Sequence, residues 1–263
     1  MRVHHLDCGP MIGGLVDHCL LIETARGLVL VDTGFGSADV ADPARLGWSR
    51  RLFRPRLDPR VTARSQIESF GYRDTDVTDI VLTHLDYDHA GGLADFPAAR
   101  IHVHGPELRA AQSPRWAERP RYRPAQWEHG PRWVVNEAEG SDTWFGLDAV
   151  RALPGLGTDI LVVPLYGHTR GHVGVAVNTP AGWLLHAGDA LLTTRDLDDP
   201  VRRMMVACYG GPGLRAAAAR WNNTRALADL TRREPAVTVF TAHDRQMFTT
   251  LRTRATGAGD RAS

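Results

Sequence analysis

Lysine is missing from the sequence: all 31 basic residues are arginine, and 30 acidic residues leave a formal charge of +1. So even a balance gives no general affinity for nucleic acid or anionic membranes, both of which need an excess of positive charge. Cysteine is scarce. Cys8, Cys19 and Cys208 are the 3 in the chain, an odd number with no CxxC pair, which argues against a disulfide framework and for a reducing compartment. No apolar run approaches the ~18 residues of a membrane span. The N-terminal stretch carries Asp7, Asp17 and Glu23 and lacks the apolar core of a secretion signal. The expected location is the cytoplasm. Aromatic residues are also few, at 7%.

What is present suffices for a folded core. The chain has 263 residues, 43% of them hydrophobic, enough for one large domain. Its N-terminal third reads as short strands with tight turns: "HCLLIET" and "LVLVDTG" form a hairpin around "ARG". "DPRVTARSQIESFGY" carries helix signals, with Asp58 as cap, Pro59 at the first helical position and Gly71 as stop. "DIVLTH" is a β-branched strand that delivers His84 at its end. "RIHVHG" predicts another strand and "PELRAAQ" a short helix. In the second half "DILVVPL", "HVGVAVNT", "GWLLHAGD" and "AVTVFTAHD" repeat the strand pattern, with a helix from about Gly213 to Arg233. Residues 113–146 lack a period and read as a lid or insertion, whereas 252–263 read as a flexible tail.

The densest chemistry lies in "THLDYDHAGG", where His84, Asp86, Asp88 and His89 offer nitrogen and oxygen donors of the kind that Zn, Fe and Mn accept. In an extended segment His84, Asp86 and Asp88 share a side, while His89 needs a local turn. Gly91 and Gly92 permit close backbone approach. Three more candidates follow at strand ends: His168 in "GHTRGH", Asp189 in "HAGDA" and His243 in "TAHD". A lone histidine or aspartate is usually a surface or hydrogen-bonded core residue. The ordered set is a much stronger signal.

Together with the preceding "LVLVDTG", these motifs resemble those of the metallo-β-lactamase superfamily. The resemblance implies an α/β fold, an αβ/βα sandwich of two mixed β-sheets with helices on the outer faces, as a single domain over residues 1–251. It implies two divalent metal ions. His84, Asp86 and His168 would bind one, and Asp88, His89 and His243 the other, with Asp189 bridging. Asp88 and Asp189 would be the catalytic carboxylates, and His172 a positioning or structural residue. The family pattern has histidine where this chain has Asp86. Zn is the metal the family implies, and the harder carboxylate donor moves the preference toward Fe or Mn. The added negative charge should also make a bridging hydroxide more basic.

The implied activity is hydrolysis of an ester or lactone-type bond in a small molecule by hydroxide held at the metals, since metal binding lowers the pKa of water from ~16 toward ~7. Chain length and "HAGG" most resemble N-acyl homoserine lactonases and their relatives. Those enzymes commonly place a tyrosine three residues after the bridging aspartate; here Leu192 occupies that position. Tyr87, Tyr166 and Tyr209 are the candidates to replace it, each with a structural hydrogen bond as the alternative. Trp116 and Trp127, with Tyr122 and Trp133, could line an aromatic substrate pocket or simply pack the lid onto the sandwich. Arg45, Arg50, Arg51, Arg54 and Arg56 read as a solvated loop, and the histidines outside the motifs as structural. His18 is the first of those to test for proximity to the metals. The alternatives are thioester or phosphoester hydrolysis at the same site, a stand-alone non-haem iron oxidoreductase, because flavodiiron proteins of the superfamily carry a carboxylate at the Asp86 position, and a non-catalytic metal-binding scaffold. No nucleic-acid or membrane partner is expected, and the oligomeric state is open.

Overall fold

The protein's structure, a computed structural model, describes residues 1–137, 142–148, 151–208 and 213–259. Strands β1 (Arg2–Asp7), β2 (His18–Thr24) and β3 (Gly27–Val31) pair antiparallel in sequence. Helices α1 (Ser37–Ala41), α2 (Arg50–Phe53) and α3 (Ala63–Ser69) occupy the connection to β4 (Val77–Val81), which lies parallel to β3. Then come β5 (Arg100–His104), α4 (Gly105–Gln112) and β6 (Arg132–Asn136), completing a 6-stranded sheet in the order β1-β2-β3-β4-β5-β6. A hairpin of β7 (Thr143–Trp144) and β8 (Leu147–Asp148) precedes the second sheet. That sheet contains β9 (Arg151–Ala152), β10 (Ile160–Pro164), β11 (Val173–Thr179) and β12 (Gly182–His186). After α5 (Pro200–Cys208) and α6 (Leu214–Arg233), β13 (Val237–Phe240) joins β12 in parallel, giving the order β13-β12-β11-β10-β9. Helix α7 (Arg245–Gly259) follows.

The near-continuous apolar runs of these strands are explained by burial on both faces. Leu20, Ile22, Val29 and Val31 point inward and meet Ile160, Val162, Val175 and Val177 of the second sheet, so these residues form the seam of a sandwich. Their neighbours Cys19, Leu21, Leu28 and Leu30 point outward against Ala63 and Ile67 of α3 and Ala110 of α4. On the far side Leu185 and Val239 pack against Leu227 and Leu230 of α6. The side-chain alternation of a strand thus makes three layers of core from two sheets. The sandwich of mixed sheets with outer helices is the fold expected.

Three local expectations need correction. The helix foreseen over "DPRVTARSQIESFGY" is split: Asp58 caps a single turn at Pro59–Val61, and Thr62 then caps α3 by accepting from the N–H of Ser65. Residues 113–146 are not a lid throughout, because β6 within them extends the first sheet alongside β5 and the β7–β8 hairpin follows. Residues 113–131, with turns at Trp116–Glu118 and Pro124–Gln126, are irregular. The flexible tail from 252 is the continuation of α7 as far as Gly259; Leu251 anchors that helix in the seam. Residues 260–263 lie outside the described residues.

One buried carboxylate joins the segments that carry the candidate site. Glu107, in the first turn of α4, accepts from the N–H of Leu85 at 3.0 Å, the N–H of Gly171 at 3.1 Å, the Thr169 hydroxyl at 2.6 Å and the Tyr122 hydroxyl at 3.2 Å. Removing such an acceptor strands several buried donors. Glu107→Ala is expected to lower stability by about 3–5 kcal/mol, read from the urea midpoint. Glu107→Gln, which keeps one carbonyl acceptor, should cost clearly less in the same measurement.

Candidate metal centre

The candidate ligands are delivered by strand ends. β4 leads to His84, β12 to Asp189 and β13 to His243, while His168 sits in the turn between β10 and β11. Asp86 to Ala90 form the local turn that His89 requires, with the N–H groups of His89 and Ala90 both donating to the Asp86 carbonyl at 3.0 Å. Gly91 and Gly92 let this loop approach the end of β3. A Cβ on Gly92 would lie 2.9 Å from the carbonyl oxygen of Thr33, and one on Gly91 would lie 2.6 Å from that of Gly34. The turn is set by backbone contact.

All seven candidates converge. His84, Asp86 and His168 form one group with donor atoms within 4.8 Å of one another, and Asp88, His89 and His243 form a second. Asp189 stands between them. Its Oδ2 is 3.4 Å from His168 Nε2 and 3.2 Å from His243 Nε2, and its Oδ1 is 3.5 Å from His89 Nε2. Asp86 Oδ2 lies 3.0 Å from His168 Nε2 and 3.4 Å from His84 Nε2.

The donors fit a metal on two counts. His84 Nε2, His89 Nε2 and Asp189 Oδ1 are buried without a hydrogen-bond partner among the described residues, although buried polar atoms are nearly always paired. The cluster also draws positive charge to itself. Burial works against protonation of His89 and His243, yet Asp189 and the carboxylates beside them hold His89 well above its ordinary pKa and push His243 up to about 10. Burial likewise disfavours the charged forms of Asp86 and Asp189. Even so, Arg121 and His84 hold Asp86 well below the usual carboxylate range, and His243, His89 and His168 do the same for Asp189. Burial wins at Asp88, whose pKa is raised, and at His168, lowered to about 3 by burial and the charge of Arg121.

Partners behind the ligands fix their orientation. Asp32, at φ 56° after β3, accepts from the Thr83 N–H at 2.8 Å, the Thr83 hydroxyl at 2.7 Å and His89 Nδ1 at 2.8 Å. His84 Nδ1 is 2.9 Å from the Thr83 hydroxyl, and His243 Nδ1 donates to the Val16 carbonyl at 2.8 Å. His172 has the positioning role expected of it, because its Nε2 accepts from the N–H of Asp189 at 2.9 Å. Gly188 makes room for that bond: it has φ 52°, and a Cβ there would meet His172 Nε2 at 2.6 Å.

Other candidates lie elsewhere or act differently. Tyr87 is buried near Phe35 and Phe53. Trp116 is 84% exposed, and Trp127 packs against the core of the first sheet, as do Tyr122 and Trp133. Of these four, Tyr122 lines the cavity beside His168, whose lining does not include Trp116, Trp127 or Trp133. Tyr166, half exposed and stacked on His104, lines a cavity of about 260 Å³ with His168, Arg121, Arg115 and Arg215. Tyr209 lies outside the described residues. Leu192 is exposed and engages its surroundings through its backbone. His18 hydrogen-bonds His5 at 2.8 Å, and its carbonyl accepts from His186. A larger cavity of about 600 Å³, lined by Val3, Trp183, Leu184 and Leu251, touches none of the seven ligands.

Three residues beside the cluster were not singled out from the sequence. Arg121 Nη1 is 3.0 Å from Asp86 Oδ2, and Arg220, only 2% exposed, places Nη2 3.3 Å from His168 Nδ1. Asp17 is buried with neither carboxylate oxygen hydrogen-bonded among the described residues, and burial raises its pKa well above the ordinary value. No local pattern marks any of them.

The chain is similar to known proteins. The family model described as "Metallo-beta-lactamase superfamily" matches residues 12–243. A probable metallo-hydrolase of Mycobacterium tuberculosis is 43% identical over 267 residues, covering 97% of this chain and 84% of the relative. An N-acyl homoserine lactonase of Bacillus cereus is 27% identical over 190 residues, 70% of this chain and 67% of the lactonase. Among solved structures, an N-acyl homoserine lactone hydrolase with N-hexanoyl-L-homoserine at its catalytic metal centre superposes with a TM-score of 0.72 at 20% identity, covering 95% of each chain. A dizinc quorum-quenching lactonase gives 0.58 at 16% identity, over 88% of this chain and 73% of the other. The family match spans all seven candidate positions, and the chain belongs to the metallo-β-lactamase superfamily.

Proposed function

We propose that this metallo-hydrolase cleaves an ester or lactone-type bond in a small molecule, with two divalent ions as cofactors. The observation that carries the reading is the placement of Asp189, whose Oδ2 faces His168 at 3.4 Å and His243 at 3.2 Å and so belongs to both ligand groups. Ions bound there would lower the pKa of a water molecule toward neutrality and polarise a carbonyl oxygen. The chain's part is to hold them: His84, Asp86 and His168 on one side, Asp88, His89 and His243 on the other. Asp88 is the residue proposed to pass a proton to the leaving group. Zn follows from the family, and Fe or Mn from the carboxylate donor of Asp86.

Likeness to N-acyl homoserine lactonases supports a lactone or ester over other acyl compounds. Leu192 has no side-chain hydroxyl to offer a substrate carbonyl, and Tyr87 is buried against Phe35 and Phe53. Tyr166 is the remaining described candidate. It lines the cavity beside His168, and its hydroxyl has no hydrogen-bond partner among the described residues. We assign it the role of substrate hydrogen-bond donor. No helix of the structure is long and apolar enough to cross a membrane, and the formal charge of +1 favours a small-molecule substrate over nucleic acid.

A panel of lactone, ester, thioester and phosphoester substrates, run on protein loaded separately with Zn, Mn and Fe, should show turnover of a lactone or ester that chelation abolishes and metal restores. Turnover confined to the phosphoester, or oxygen consumption by the iron form without hydrolysis, would replace the reading. Asp189→Ala should lower kcat by on the order of a thousandfold; unchanged turnover would refute its shared role. Tyr166→Phe should lower kcat/KM by about tenfold or more with metal content unchanged.

A further inference from the structure

We infer that the two ligand groups bind metal unequally: Arg121 and Arg220 oppose the group of His84, Asp86 and His168, making it the weaker, exchangeable site. The inference rests on the two-ion reading of the cluster and adds an order of filling.

The difference lies behind the ligands. His89 Nδ1 faces the Asp32 carboxylate at 2.8 Å and His243 Nδ1 the Val16 carbonyl at 2.8 Å. Both partners accept, so Nδ1 of each ring donates away from the cluster and Nε2 is the nitrogen turned toward it. His84 is set the same way. The Thr83 hydroxyl donates to Asp32 at 2.7 Å and so accepts from His84 Nδ1 at 2.9 Å.

His168 is backed by a group of the opposite kind. Arg220 Nη2 lies 3.3 Å from its Nδ1, and a guanidinium only donates. Nδ1 must therefore accept, which leaves the proton on Nε2. That nitrogen is 3.0 Å from Asp86 Oδ2, as His243 Nε2 is 3.2 Å from Asp189 Oδ2, but the Nδ1 of His243 has the Val16 carbonyl behind it and that of His168 a guanidinium. To ligate through Nε2, His168 has to move its proton to the nitrogen that faces the guanidinium.

Asp86 is opposed as well. Arg121 Nη1 contacts Oδ2 at 3.0 Å and Oδ1 at 3.2 Å, and it also donates to the His168 carbonyl at 3.1 Å. Oδ2 is the oxygen that faces His84 and His168, so an arriving cation shares it with a fixed positive charge. Behind the second group stand a carboxylate and a carbonyl instead, Asp32 at His89 and Val16 at His243.

Metal binding tests this without reference to activity. Chelator-stripped protein is titrated with Zn²⁺ by calorimetry and by competition with a chromogenic chelator. The wild type should bind two ions in steps separated by at least about tenfold in affinity. Asp86→Ala should remove the weak step and His243→Ala the tight one. Arg121→Met should tighten the weak step by about tenfold and leave the tight step alone; Arg121→Gln, with a similar shape and no charge, should do the same if the methionine variant is unfolded by circular dichroism. Two equal steps in the wild type, a tight step lost in Asp86→Ala, or a weak step no tighter in the folded Arg121 variant would each overturn the inference. Equal steps leave the two-ion reading standing, whereas failure to bind Zn²⁺ at all would end both.

Discussion

The site depends on confining negative charge at one edge of a sandwich. Asp86, Asp88 and Asp189 lie within a few ångströms of the same histidines and are largely withdrawn from water. In a medium of reduced dielectric their mutual repulsion is much stronger than at a surface. The fold can hold them together only where positive charge is supplied at the same point. His89 and His243 meet this demand by being driven toward protonation, Arg121 meets part of it directly, and divalent ions would meet it more fully. Asp17, buried and unpaired nearby, has its pKa raised by the same burial.

Holding the charges in place is the work of atoms that never face the cluster. The parallel strands β3, β4 and β5 end on the same side, where Asp32, His84 and Glu107 emerge, and β12 and β13 bring Asp189 and His243 from the second sheet. In open parallel sheets functional loops collect at such carboxyl ends. Asp32 ties the Thr83 and His89 ends of the motif loop together, whereas Glu107 ties that loop to the turn carrying His168. Each carboxylate satisfies several donors from segments distant in sequence. Rigid ligand placement and fold stability are therefore the same set of hydrogen bonds.

This division explains what could be read from the chain. The strands were legible because burial on both faces leaves long apolar runs, the sandwich through the family resemblance of the motifs, and the seven candidate ligands because they stand in compact motifs at the ends of those runs. Strand β6 was not, since "RWVVN" forms an edge with intermediate and exposed positions and sits among residues without a period. Glu107 in "PELRAAQ" looks like the solvated face of a short helix. Its burial follows from donors at Leu85, Thr169 and Gly171 that only the folded topology brings to it. Arg121 is hidden in the same way, one arginine among many in an irregular segment.

Arg121 also changes what the aspartate at position 86 means. A carboxylate in place of a neutral imidazole adds one negative charge to the first ligand group, and from the sequence that charge was expected to make a bridging hydroxide more basic. The guanidinium at 3.0 Å returns one positive charge to the same oxygen. The local charge is then close to that of an all-histidine group, and the electrostatic part of the expectation is largely cancelled. What survives is the character of the donor atom. A harder oxygen has replaced an imidazole nitrogen, so any preference for Fe or Mn over Zn must come from that bond. The irregular segment between α4 and β6 earns its place by this route. It supplies Arg121 to Asp86, the Tyr122 hydroxyl to Glu107 and the Gln126 amide to the Tyr87 carbonyl, and so it acts on the chemistry through charge and position, with no need to close over the site.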